Sequence, residues 1–208
     1  MSYNYRSLLL LLLLFLLLLL FYYMVYSQIG HRDAHGLTAI SHAVNRGSLE
    51  VVKYLYNCDW LVEEASKSQA IQSAFVLSSR EGFTEMSQFL LDRFDELKYC
   101  HIDGTDHLTG ETALTAACLQ GNKPTVHMLI ARGAATAQPN SDGYSPFLCA
   151  VKAGFWDITV VLLRHGADVQ HTDSFGRTAL MVASAEGHLE LISMLLANGW
   201  YICILLYC

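Results

Sequence analysis

From residue 38 to residue 196 the apolar positions fall in short helical stripes, not in the strict alternation of a half-buried strand. Five stretches superpose without gaps: "TAISHAVNRGSLEVVKYLY" from Thr38, "SAFVLSSREGFTEMSQFLL" from Ser73, "TALTAACLQGNKPTVHMLI" from Thr112, "SPFLCAVKAGFWDITVVLL" from Ser145 and "TALMVASAEGHLELISMLL" from Thr178. Each predicts a short helix. Thr or Ser in the first place is an N-cap whose hydroxyl accepts from an unpaired first-turn amide. Ala or Pro146 stands at the first helical position, where a missing N–H would be unpaired anyway. Apolar residues in the third and sixth places, such as Leu180 and Ala183, face the neighbouring unit, and a tenth-place glycine ends the helix in left-handed backbone. A second amphipathic helix follows at once, its stripe formed by Val51, Val52 and Leu55 in the first stretch and by Leu191, Ile192 and Leu195 in the fifth. Gly133-Ala134, Gly166-Ala167 and Gly199 close second helices.

The tenth-place glycines are Gly47, Gly82, Gly121, Gly154 and Gly187, spaced by 35, 39, 33 and 33 residues. A period of 33 with this pattern is the ankyrin signature. The predicted fold is therefore an all-α ankyrin-repeat solenoid of helix-turn-helix units joined by β-hairpins, preceded by one hydrophobic N-terminal helix. The turn Asp-x-x-Gly-x-Thr is complete in "DAHGLT" at 33–38 and "DSFGRT" at 173–178. The chain divides into a hydrophobic segment (1–27), five repeats within 28–199 (~33–65, ~66–103, ~107–139, ~140–172, ~173–199) and an apolar tail (200–208). Each unit buries its faces only against its neighbours, and at least about three are needed for stability. The second repeat is the weakest, with Ser78 in place of a small apolar residue. The spacers around it, "NCDWLVEEASKSQAIQ" and "DRFDELKYCHIDGTDHLTGE", are expected to be surface excursions. Trp156, standing for a packing leucine, is assigned to the core.

Composition changes little. The chain is 53% hydrophobic and 15% charged, the excess coming largely from the N-terminal tract. A net charge of −6 and the absence of a basic run argue against nucleic acid. The six cysteines, Cys58, Cys100, Cys118, Cys149, Cys203 and Cys208, form no C-x-x-C pair and are expected to act as reduced, buried small hydrophobes. No N-x-Ser/Thr sequon occurs.

"LEVVKYLYNCDW" (49–60), "SKSQAIQSAF" (66–75), "GETALTAA" (110–117), "GAATAQPN" (133–140) and "GRTALMVASAEGHLE" (176–190) resemble the ankyrin array of the TANC/rolling pebbles scaffolds over roughly residues 31–199. Cys58-Asp59-Trp60 and Ala137-Gln138-Pro139-Asn140 carry the likeness, because the repeat does not dictate them. The resemblance implies part of a large intracellular adaptor. The ATPase-like and tetratricopeptide regions of that family have no counterpart here, and "GNKPT" at 121–125 lacks the spacing of a phosphate-binding loop.

No catalytic residue, cofactor site or metal site is predicted. His31 and His35 are four apart but sit in a turn without a cysteine nearby. "HRD" at 31–33 has no kinase context. What remains is protein binding on the hairpin tips and the concave side of the first helices. The positions expected there are Leu37, Asn45, Arg46, Arg80, Glu81, Glu111, Leu119, Gln120, Tyr144, Lys152, Ala153, Arg177, Ala185 and Glu186, with His35 and Phe175 at hairpin tips. Tyr144, Phe175, Arg46 and Arg177 are the expected anchors, since aromatic and arginine side chains dominate interface energetics. The predicted function is non-catalytic scaffolding. The alternatives are a secreted ankyrin-repeat effector and a regulatory adaptor subunit for an enzyme.

The two ends read differently from the array. "SLLLLLLLFLLLLLFYYMVYS" (7–27) carries no charge between Leu8 and Tyr26. At 1.5 Å per residue it reaches about 27–30 Å, enough to cross a bilayer core, and it exceeds the apolar region of a signal peptide. Residues 8–26 are thus expected to tether a cytoplasmic array to a membrane, with a signal-like segment as the alternative, since Arg6 precedes the tract and Val25-Tyr26-Ser27 resembles a cleavage site; Arg6 and Arg32 leave orientation poorly specified. "WYICILLYC" (200–208) replaces the expected hairpin with nine apolar residues and reads as an array cut short mid-repeat.

Overall fold

A computed structural model of the chain describes residues 15–18, 28–58, 60 and 63–197. Residues 15–18 are helical and exposed; the rest of the leucine tract and the apolar tail lie outside the described residues. The expected membrane helix over 8–26 therefore falls outside them except for residues 15–18, and so does the truncated sixth hairpin. Among the described residues no helix is long and apolar enough to cross a membrane.

Ten α-helices form five antiparallel pairs: α1 (Ala39–Asn45) with α2 (Leu49–Asn57), α3 (Glu64–Arg80) with α4 (Thr84–Leu91), α5 (Ala113–Gln120) with α6 (Lys123–Ala131), α7 (Pro146–Ala153) with α8 (Trp156–Arg164), and α9 (Ala179–Glu186) with α10 (Leu189–Leu196). The first helices stack in the order α1, α3, α5, α7, α9, and this stack is the core. Third-place Ile40, Phe75, Leu114 and Phe147 are fully enclosed, while sixth-place Ala43, Ala117, Ala150 and Ala183 let adjacent helices approach closely. Thr112, Ser145 and Thr178 cap their helices by accepting from the amides of Thr115, Leu148 and Met181. The Thr38 hydroxyl lies against Ser41 Oγ instead, at 3.1 Å. Trp156 is half-buried at the start of α8, packed against the core without entering it. Val51, expected in a buried stripe, is exposed, and Val52 carries that burial.

One contact recurs at every junction. A Cβ on the tenth-place glycine of one unit would meet the eleventh-place side chain of the next: Phe83 above Gly47, Asn122 above Gly82, Phe155 above Gly121 and His188 above Gly154. The two polar members also bond the carbonyls left unpaired at the end of the previous helix. Asn122 donates to Ser79 O and Arg80 O, and His188 Nε2 reaches Lys152 O at 2.9 Å. At Gly187 the same place is open, with nothing within 4 Å. Fourth-place residues follow suit: Ser41, Val76, Thr115 and Leu148 are buried, whereas Met181 is 57% exposed.

The second repeat departs from expectation. Ser73 is not an N-cap, and the boundary drawn at ~65/66 falls inside a helix, because α3 starts at Glu64 and runs 17 residues. Residues 64–72 contain good helix formers and neither Gly nor Pro, so the helix extends upstream of the repeat's usual start. Neither spacer is a surface excursion. Ser68, Ala70, Ile71 and Gln72 of the first are buried, as are Phe94, Leu97 and Cys100 of the second. Phe94 packs edge-on against Phe75 at 4.9 Å. Gln72 clamps the second spacer, donating to Gly104 O at 2.9 Å and accepting from His101 N at 3.1 Å. Ser78 is tolerated in the core because its hydroxyl bonds Phe75 O and lies 2.8 Å from Ser87 Oγ.

The connections between units are tight turns, and the isolated bridge Thr105–Thr112 is the β-pairing seen among the described residues. Asp33 Oδ1 accepts from His35 N and Leu37 N, Asn140 Oδ1 from Asp142 N and Tyr144 N, and Asp173 Oδ1 from Phe175 N and Arg177 N. This side-chain acceptor reinforces the main-chain bonds from Asp33 N to Leu37 O, Asn140 N to Tyr144 O and Asp173 N to Arg177 O, which close each turn without a strand ladder.

Gly154 and Gly187 share nearly the same backbone, at φ 80° and 78°, but only Gly154 is covered, with a Cβ falling 2.6 Å from His188 Cε1. Gly187→Ala is expected to cost about 1–2 kcal/mol, the left-handed penalty alone. Gly154→Ala is expected to cost roughly 1–3 kcal/mol more through overpacking. Urea unfolding of the two variants measures the difference.

Candidate protein-binding face

Because the turns are rigid and the first helices stack, residues before each cap and before each tenth-place glycine come to one side of the array. His35, Asn45, Arg46, Glu81, Gln120, Phe175 and Glu186 are exposed there, and Leu37, Leu119 and Lys152 are half-buried. Arg80 and Glu111 face each other in a largely enclosed ion pair, so much of each charge is already committed.

The fourth and fifth repeats bring four of the expected residues into one cluster. Lys152 Nζ stands 4.7 Å above the Tyr144 ring. The Arg177 guanidinium lies 5.8 Å from the Tyr144 centroid and 5.2 Å from that of Phe175. It also donates to Tyr144 Oη and, through Nε, to Asp173 Oδ2 at 2.7 Å. Phe175, 79% exposed, projects from the turn beyond this platform. The expectation that Tyr144 is itself an exposed anchor is corrected. It is only 6% exposed, because Lys152 and Arg177 cover it, and it supports the cluster from beneath. Arg46 has no aromatic platform among the described residues, and neither Asn45 nor Arg46 joins the cluster.

The described cysteines are free thiols, with Cys100, Cys118 and Cys149 buried and Cys58 half-buried. Burial pushes the Cys100 thiol up to about 11 and Cys149 up to about 12, and holds Cys118 well above the ordinary range. These thiols are protonated and unreactive at neutral pH. Cys203 and Cys208 lie outside the described residues. Among the described residues no group of three His, Cys, Asp or Glu has the geometry to hold a metal ion.

Sequence reasoning missed a polar network at the other end of the array. Arg32, Gln69, Ser73, Asp106 and His107 meet there from three segments. Nothing in the repeat marks them, and Arg32 and His107 are 75 positions apart. The meeting of Ser, His and Asp is not a nucleophile in waiting. Arginine has only donors, so His107 Nε2, 2.7 Å from Arg32 Nη1, must accept. The ring proton then sits on Nδ1, facing Ser73 Oγ at 3.1 Å, and Ser73 donates to Asp106 Oδ1 at 2.5 Å. The histidine is oriented as a donor toward the serine, not as its base.

A stack of helix pairs with capped turns and an exposed aromatic and cationic rim defines a helical-repeat array. The ankyrin-repeat model, three copies long, matches residues 76–173 and 135–204, and the chain belongs to the ankyrin-repeat family. Relatives include protein glp-1 of Caenorhabditis elegans, 29% identical over 167 residues, covering 76% of this chain and 13% of that protein. Human ankyrin repeat and KH domain-containing protein 1 is 36% identical over 93 residues, covering 44% and 4%. Inversin of Danio rerio is 35% identical over 83 residues, covering 40% and 8%. The chain thus spans no more than 13% of the length of these relatives.

Asp173 ties the turn to the cluster, and its titration reports on both. Burial raises its pKa, but bonds from Arg177 N, the Arg177 guanidinium and Phe175 N outweigh that and hold it below the usual carboxylate value. A depressed carboxyl contributes stability that is present above its unfolded pKa, about 3.9, and is lost as pH falls through the lowered value. Asp173→Asn keeps an acceptor for the turn but does not titrate. Urea unfolding at stepped pH is expected to show a shallower loss of stability below about pH 4 in this variant than in the wild type.

Proposed function

We propose that the chain is a non-catalytic scaffold or adaptor that binds a protein partner along its turn tips and first helices, centred on the fourth and fifth repeats. The observation that carries this reading is Phe175. It is a large aromatic side chain, 79% exposed at the tip of a rigid turn and backed by the Arg177, Tyr144 and Lys152 stack. An exposed aromatic on a preorganised cationic platform is the composition of an interface hot spot. His35, Leu37, Asn45, Arg46, Glu81, Leu119, Gln120 and Glu186 would form the surrounding contacts, and Arg80 with Glu111 a paired element between them.

Two finer readings belong with it. The spacer residues that resemble the TANC/rolling pebbles scaffolds, with the irregular second repeat, support placing this array in an adaptor of that kind. The length of the apolar tract supports a membrane tether through residues 8–26, with the array on the cytoplasmic side. Deleting residues 8–26 should then move the chain from an alkali-resistant membrane pellet to the soluble fraction; an unchanged distribution would remove the tether.

For the binding face, partners captured on the immobilised full chain and identified by mass spectrometry are titrated one by one against variants. Phe175→Ala is expected to weaken binding at least about tenfold. It should leave stability within about 0.5 kcal/mol, since the side chain is exposed. Tyr54→Ala, on the outer helix α2 and 72% exposed, should change neither. Partners that ignore Phe175 but require Tyr54 would place binding on the second helices and contradict the reading.

A further inference from the structure

The Arg32 network has a direction. Hydrogens run from the Arg32 guanidinium to His107 Nε2 at 2.7 Å, from His107 Nδ1 to Ser73 Oγ at 3.1 Å, and from Ser73 to the Asp106 carboxylate at 2.5 Å. Arg32 also donates to Gln69 Oε1 at 2.9 Å and, within its own turn, to Gly36 O at 3.1 Å. This chain of bonds joins the first turn, α3 and the connector before α5. The Arg32–His107 link exists only while the imidazole is neutral, because a protonated ring has no acceptor to offer Arg32, whereas the bonds to Gln69 and Gly36 do not depend on it.

We propose that His107 is an acid-operated latch on the first turn, holding Arg32 when neutral and releasing it when protonated. The charges facing His107 make the release one-sided. Arg32 from the first turn repels an imidazolium, whereas Asp106 from its own connector attracts it, and α3 contributes only the neutral Ser73 and Gln69. The ring therefore stays on the Asp106 side, 3.5 Å from Oδ1, while the guanidinium is left with Gln69 and Gly36. Burial first, and then Arg32, hold the His107 pKa below its usual value against the opposing pull of Asp106. The contribution to stability is thus complete above the unfolded histidine value of about 6.5 and is lost as pH falls through the lowered one. The nearby His42–Asp33 pair, 2.8 Å apart, borders the same turn and serves as the control. Loss of the His107 bond removes the tie between the connector and the turn that carries His35 and Leu37, leaving that turn to its own Asp33 bonds and to Gln69, a consequence for binding that rests on the partner-face reading above.

Amide exchange across residues 33–37 of the full chain, expressed as protection so that intrinsic pH effects cancel, is measured from pH 7.5 to 4.5 beside the NMR titration of the His107 ring. Protection is expected to fall about tenfold at the His107 midpoint, which should lie below about 6.5 and rise in Arg32→Ala. His107→Gln, which keeps an acceptor at every pH, should hold protection constant; His42→Gln should leave the fall in place. Constant protection in the wild type, the same fall in His107→Gln, or a His107 midpoint unmoved by Arg32→Ala would each overturn the latch.

Discussion

The structure depends on one contact repeated along its length: a tenth-place glycine in left-handed backbone, covered by the eleventh-place side chain of the following unit. A glycine there does two jobs. It ends a first helix after only seven or eight residues in the regular units, and it leaves a flat spot on which Phe83, Asn122, Phe155 or His188 can rest. Without that spot the next pair could not come close enough for small residues such as Ala117 and Ala150 to pack helix on helix. Stability in such an array is close to a sum over neighbouring interfaces, so each junction matters by itself. The covering residues are of two kinds. Asn122 and His188 answer the unpaired carbonyls of the preceding helix, while Phe83 and Phe155 offer apolar area instead. The junctions are alternative solutions to one geometric demand.

Stacking on one side fixes what is displayed on the other. The turns are held by main-chain bonds between their first and fifth residues together with an Asp or Asn side-chain acceptor, so their tips are compact and their side chains are aimed by short-range bonds. Asp173 shows the coupling most directly. One carboxylate oxygen closes the turn and the other holds the Arg177 guanidinium against Tyr144. Phe175 is thereby presented from a prepared platform, which lowers the ordering cost that a partner would otherwise meet.

Much of the fold is legible in the sequence because its requirements are local. The glycine, the hydroxyl cap and the Asp-x-x-Gly-x-Thr turn each answer to a backbone condition within a few residues, and all recur in register. The second repeat departs from its pattern where helix propensity over residues 64–72 outruns the repeat's usual start and carries Ser73 into mid-helix. The second spacer looked like a loop because its anchors, Phe94 to Phe75 and His101 to Gln72, lie far apart in sequence. The register of Tyr144 predicts exposure, yet its burial comes from Lys152 and Arg177, one on the following helix and one in the next turn. The Arg32–His107 link has no signature at all, since two residues 75 positions apart meet only after three units have stacked.

We propose that a partner meets the turn tips and the first helices and leaves the outer faces of the second helices free. Hydrogen exchange of the full chain with and without a bound partner protein tests this most directly. Protection is expected at residues 142–145 and 173–177 and along the exposed positions of α7 and α9, with α2, α6 and α8 unchanged. Protection confined to those second helices, with the turns unaffected, would contradict it.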